Sequence, residues 1–173
     1  TAWAPRRHTR SFPVLVLVFG SRLLAKYHSF SMLTPETVWF QDELQVRTEG
    51  RGTCDITRDV TALVGRSEVR TGLCHIFITH TSASLTITEN ADSRVHDDLE
   101  HFLARLVPDG DPHYTHTSEG EDDMSAHIRT SLTNSALTVP ISSARCANAS
   151  PVSKRSSTCQ NLKTFGSQVP TFC

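Results

Sequence analysis

Apolar residues fall into short, separable rhythms along this chain, and each rhythm predicts an element. Over residues 36–48, "ETVWFQDELQVRT", apolar and polar positions alternate through Val38, Phe40, Leu44 and Val46. That is the period of a half-buried strand or strand pair, with a break expected at Gln41 to Glu43. "DITRDVTALV" (55–64) puts Ile56, Val60, Leu63 and Val64 at helical spacing, with Asp55 as N-cap and Gly65 as stop. "GLCHIFITH" (72–80) is dense in β-formers and reads as a buried strand, while "SLTITE" (84–89) alternates with Leu85 and Ile87 on one side. The clearest helix is "NADSRVHDDLEHFLARLVPDG", where Val95, Leu99, Phe102, Leu103 and Leu106 form one stripe, Asn90 or Asp92 caps the start and Pro108, Asp109 and Gly110 end it. "DDMSAHIRTSL" predicts another helix with Met124, Ile128 and Leu132 on its apolar side, and "SALTVPI" (135–141) a strand whose Pro140 belongs at an edge. This order predicts an α+β fold, a single domain with a largely antiparallel sheet.

Charge changes the picture at the two ends. The chain has 173 residues and a net charge of −1, yet all 18 carboxylates lie between Glu36 and Asp123. The asymmetry predicts a folded middle, residues 32–141, between an N-terminal extension (1–31) and a Ser/Cys-rich tail (142–173) without regular structure. Near the N-terminus, the apolar run from Phe12 to Phe19 follows Arg6, Arg7 and Arg10 and is far shorter than the roughly 18–20 residues of a membrane span. It reads as upstream sequence preceding Met32, a secretory signal or a mitochondrial transit peptide, and each reading places it outside the core. The mixed charge offers no footprint for nucleic acid. Five cysteines without a CxxC spacing indicate neither a disulfide scaffold nor a zinc knuckle, and point to a reducing compartment, cytoplasmic or alternatively mitochondrial.

Candidate chemistry rests on nine histidines. His75 alternates with Leu73 and Phe77 and reads as a satisfied core or interface residue, while His96 and His101 read as solvated. His80 stands where an apolar strand gives way to Thr81, Ser82 and Ser84. His116 lies in a polar loop before an acidic helix cap, and His127 sits one turn into that helix. Three imidazoles with an open position suit a catalytic zinc ion, with Glu89, Glu119 or Asp123 orienting the rings or moving protons. On spacing alone, solvated histidines in hydroxyl-rich loops remain the simpler reading. "ENAD" (89–92) serves as a set of N-caps, or presents helix-end N–H groups to a phosphate or carboxylate. No P-loop or GxGxxG occurs.

"GLCHIFITHTSASLTITENADSRVHDDLEHFLARLVPDG" followed by "YTHTSEGEDDMSAHIRTSLTNSALTVPI" closely resembles the YjbQ family, from about Met32 to Ile141. The resemblance implies a β-sandwich-like α+β domain with two or three helices, assembled as a homotrimer with a metal, zinc by expectation, near the subunit boundary. It implies His80, His116 and His127 as metal ligands, Thr81, Ser82 and Asn90 as substrate-binding residues, and Glu89, Asp92 and Glu119 as catalytic carboxylates. The associated activity is a secondary thiamine-phosphate synthase that joins a hydroxymethylpyrimidine diphosphate to a thiazole phosphate and releases pyrophosphate. A small phosphorylated metabolite is the expected partner, with no nucleic acid and no stable membrane span. Alternatives are a non-catalytic binding protein and a metal-dependent hydrolase of a phosphorylated metabolite. Family members continue after "LTVPI" through a GTWQ segment and a final strand, which the Ser/Cys-rich tail replaces here.

Overall fold

The computed structural model describes residues 10–25, 33–48, 51–89, 91–142 and 162–166. Strands β1 (Arg10–Ala25) and β2 (Leu33–Thr48) form a long antiparallel hairpin paired from Arg10 opposite Thr48 to Ala25 opposite Leu33. After β3 (Gly52–Asp55) comes helix α1 (Thr57–Ser67), then β4 (Thr71–Ile78), β5 (Ala83–Ile87), α2 (Arg94–Leu106), α3 (Asp123–Leu132), β6 (Ala136–Ser142) and β7 (Leu162–Gly166). One sheet has the order β2-β1-β4-β6 and a second the order β3-β7-β5, and the pairings within both are antiparallel. The fold is thus α+β and largely antiparallel with three helices.

The N-terminal expectation is overturned. Strand β1 lies between β2 and β4, and Phe12, Val14, Val16 and Val18 are among the most deeply buried side chains of the core. Its alternate residues Leu15, Leu17 and Phe19 occupy the opposite face, so the apolar run is that of a central strand apolar on both sides. Pairing with β4 brings Gly20 opposite Gly72, where a Cβ on either would meet the other strand's backbone. Only glycine permits that approach. Some structure also comes from the expected tail: Leu162–Gly166 fills the middle of the second sheet.

Other boundaries move for local reasons. Strand β2 runs without the expected break at Gln41 to Glu43, because β1 supplies a partner along its whole length. Helix α1 passes Gly65 and ends after Ser67, with Glu68 in the left-handed region at φ 57°, and Asp55 Oδ1 accepts the Thr57 N–H at its start. Pro140 lies on β6, an edge strand, as its missing N–H requires. His75 meets Thr138 Oγ1 at 2.9 Å across the β4–β6 pair. His96 departs from expectation, since both its ring nitrogens are buried and make no hydrogen bond among the described residues.

Helix α3 turns its polar side inward. Its buried residues are Asp123, Ser125, Ala126 and Arg129, whereas Leu132 of the expected apolar stripe is 56 % exposed. Burial of an acid and a guanidinium on one short helix is unusual enough to locate a site.

Candidate functional site

The site grows from three segments that the sheet brings to one end of the molecule. The first is the turn from β4 to β5. Thr79 donates both its backbone N–H (3.2 Å) and its hydroxyl (3.0 Å) to Pro13 O, so β1 fixes the turn in place. The ring of His80 then meets Phe12 edge-on, with centroids 4.6 Å apart. His80 Nδ1 accepts the Ser82 N–H at 3.1 Å and lies 3.0 Å from Ser82 Oγ. Because Nδ1 accepts from a backbone donor, the neutral ring carries its proton on Nε2.

The second segment is the loop from α2 to α3. It is closed by Gly110 N–H to Glu121 O at 2.8 Å, and Gly110 takes φ 67°, a left-handed value that glycine adopts without strain. His116 rides on this loop. The third segment is the first turn of α3, where Asp123 and His127, four residues apart, share a face. His127 Nδ1 lies 3.1 Å from Thr81 O, the carbonyl that follows His80. That bond puts the His127 proton on Nδ1 and leaves the Nε2 lone pair free to act as a ligand.

These segments converge on one carboxylate. Asp123 is fully buried, with Oδ2 2.6 Å from His116 Nε2 and Oδ1 3.5 Å from His127 Nε2, and the two rings lie 5.8 Å apart. The approaches are close, yet neither Asp123 oxygen receives a properly directed hydrogen bond among the described residues. A buried carboxylate left so costs about 1–3 kcal/mol or more, so the fold retains it for another purpose. One donor atom from each of His116, Asp123 and His127 lies within 4.8 Å of the others, a set that could hold a metal ion among the described residues. His80 does not belong to that set, although its turn supports His127.

Of the other expected site residues, Thr81 contributes its carbonyl and Ser82 is buried beside His80. Glu119 is half-buried on the His116 loop, and Glu89 is exposed after β5. Asp92 is engaged at the start of α2, where Arg94 donates from its side chain and its backbone N–H. Those hydrogen bonds, the side-chain ones first, hold the Asp92 carboxyl below the ordinary carboxylate range. Asn90 lies outside the described residues. Asp123, expected to orient the rings or move protons, is the central residue that spacing understated.

Comparison with known proteins bears on the family and the fold. The family described as "UPF0047 protein YjbQ-like" matches residues 42–150. A UPF0047 protein of Synechocystis is 46% identical over 105 residues, covering 61% of this chain and 71% of that protein. YjbQ of Escherichia coli O157:H7 is 38% identical over 109 residues, covering 62% and 78%. Among solved structures, an uncharacterised YjbQ/UPF0047 protein of Clostridium acetobutylicum superposes with a TM-score of 0.52 at 30% identity, covering 65% of this chain and 78% of that one. A YbjQ-like protein of unknown function from Sulfolobus solfataricus reaches a TM-score of 0.54 over 94% of this chain and 92% of its own at 15% identity, a likeness of fold alone. No helix among the described residues is long and apolar enough to cross a membrane. The chain therefore belongs to the YjbQ-like UPF0047 family.

Proposed function

We propose that His116, Asp123 and His127 hold a divalent metal ion, zinc on the chemistry of the donors, in an enzyme acting on a small phosphorylated metabolite. The observation that carries the metal is the fully buried Asp123, whose oxygens face two imidazole Nε2 atoms without a directed hydrogen bond. Two imidazoles and a carboxylate form a common catalytic zinc set that leaves a position open. The set differs from the family-derived triad in taking Asp123 where His80 was expected.

When bound, the ion supplies Lewis-acid stabilisation of charge developing on phosphoryl oxygens. The chain's own groups do the rest. The Thr81 carbonyl fixes the His127 ring, and the α3 N-terminus adds a partial positive charge beside Asp123. His80, with its proton on Nε2, offers a donor where charge builds up, and Ser82 holds its ring in that tautomer. Glu89 and Glu119 are the carboxylates assigned to proton transfer, since Asp92 is held by Arg94, with Thr81, Ser82 and Asn90 as substrate contacts. The substrate pair we favour is a hydroxymethylpyrimidine diphosphate and a thiazole phosphate, joined with release of pyrophosphate.

Assembly as a homotrimer fits the outer face of the first sheet. Phe19 (49 % exposed) pairs edge-on with Trp39 (65 %), beside Leu73 and Phe77, giving a contiguous apolar patch of the kind that marks an interface. Sedimentation of the full chain should give a trimer, and Trp39→Glu a monomer.

The test of the central reading is zinc content and turnover in the wild type and in Asp123→Asn. The wild type should carry zinc and form thiamine phosphate from the two substrates. The variant should lose both while gaining stability in its metal-free form, by about 1–3 kcal/mol, because the buried charge is gone. Zinc retained by a folded Asp123→Asn chain would refute the site. Phosphate released from one substrate alone would replace the transferase with a hydrolase.

A further inference from the structure

Beside the His–Asp cluster lies a cleft of about 340 Å³, counting space open to solvent, whose lining includes Arg51, Ser82, Ser84, Glu100, Arg129 and Thr130. Ser82 connects the two places, since it follows Thr81, whose carbonyl meets His127, and also lines the cleft. Helix α3 is shared as well: Thr130 and Arg129 face the cleft one turn after Asp123 and His127 face the cluster.

Arg129 is the unusual member. The residue is 8% exposed. Its Nη2 is used, donating to Val107 O and, at 2.8 Å, to Asp109 Oδ1. Its Nε and Nη1 are buried and make no hydrogen bond among the described residues. Neighbouring acids do not turn to them: Arg51 takes Glu100 through Nε and Asp109 Oδ2 through Nη1, the latter at 2.6 Å. Orphaned buried donors are rare in native folds, and a guanidinium cannot deprotonate to escape the cost. The surrounding hydroxyls of Ser84 and Thr130 can donate too. The cleft is therefore rich in donors, and Glu100, the carboxylate among its described lining residues, is paired with Arg51.

We propose that this cleft is the subsite for the oxyanion end of the substrate, a phosphate ester or a carboxylate, received by the Nε–H and Nη1–H groups of Arg129. Guanidinium is the side chain best suited to oxyanions. Arg51 and Arg129 are balanced locally by Glu100 and Asp109, so direct contact rather than long-range steering supplies the affinity, and free phosphate binds in the millimolar range. The proposal deepens the metalloenzyme reading but is defined by residues outside the His–Asp cluster.

The test is a titration of the 15N-labelled full chain with inorganic phosphate, and separately with acetate, in the presence of a chelator, following the arginine Nε–H resonances. The Arg129 resonance, assigned through its own side-chain carbons, should shift and saturate. Tighter response to phosphate identifies a phosphate ester as the natural group, and tighter response to acetate a carboxylate. Arg129→Lys should weaken binding roughly tenfold to a hundredfold, the loss expected for a charged hydrogen-bonding group. An Arg129 resonance unmoved by either anion, or arginine resonances that all drift together without saturating, overturns the proposal. The wild-type titration decides the matter even if Arg129→Lys fails to fold. With metal chelated, the result stands apart from success or failure of the zinc site.

Discussion

The chain contains the tetrapeptide Thr-His-Thr-Ser at 79–82 and again at 115–118, and the structure treats the two copies differently. In the first copy, Thr79 is tied to Pro13 O, His80 lies against Phe12, and Ser82 occupies the ring's Nδ1. In the second, His116 leaves an exposed loop and its Nε2 reaches the buried Asp123. One histidine is locked as a donor by the core, and the other is carried by a loop with its Nε2 toward a buried carboxylate. Identical residues thus acquire different chemistry from what their neighbours do with Nδ1 and Nε2.

The most damaging way to break the comparison is to delete residues 1–31. That removes the whole central strand β1, including Phe12 and the Pro13 carbonyl that fix the first copy. A chain beginning at Met32 should give no cooperative unfolding transition by circular dichroism, whereas an independent leader segment would come off without loss. Next in size, Phe12→Ala should cost about 3–5 kcal/mol in denaturant unfolding, the range for a large buried side chain, and free the His80 ring. Smallest is a change at the β5–α2 junction, which carries neither copy. Arg94→Ala should let the Asp92 carboxyl rise toward its ordinary value of 3.8. The folded-state value is depressed, so its small stabilisation is complete above the ordinary value and is lost as pH falls through the depressed one. Carboxyl-carbon resonances followed against pH measure the shift, and zinc affinity should stay unchanged.

How much was legible before the structure follows the same division between local and distant causes. Strands β4 and β6 alternate as their sequences do, and local pattern suffices to place β5 and α2 as elements, although Ile87, Phe102 and Leu106 of their expected apolar sides are exposed. Strand β1 does not alternate, because Val14, Val16 and Val18 enter the core while Leu15, Leu17 and Phe19 cover the other face, so the run resembles a targeting segment. The inward side of α3 was hidden for another reason. Arg129 is satisfied in part by Asp109 and Val107 of the preceding loop, and Asp123 is faced by two histidines, neighbours that only tertiary folding supplies. His116 and His127 were visible as candidates through their setting. Asp123 was understated because the first turn of a helix gives an acid an ordinary reason to be there.

The central claim, that the second copy provides a metal ligand and the first a fixed donor, is tested most directly by long-range 15N–1H spectra of the histidine rings during zinc titration. The account predicts that Nε2 of His116 and of His127 shifts to the metal-bound range at one equivalent of zinc, while His80 keeps its proton on Nε2 throughout. A His80 Nε2 that loses its proton and joins the bound set would contradict it.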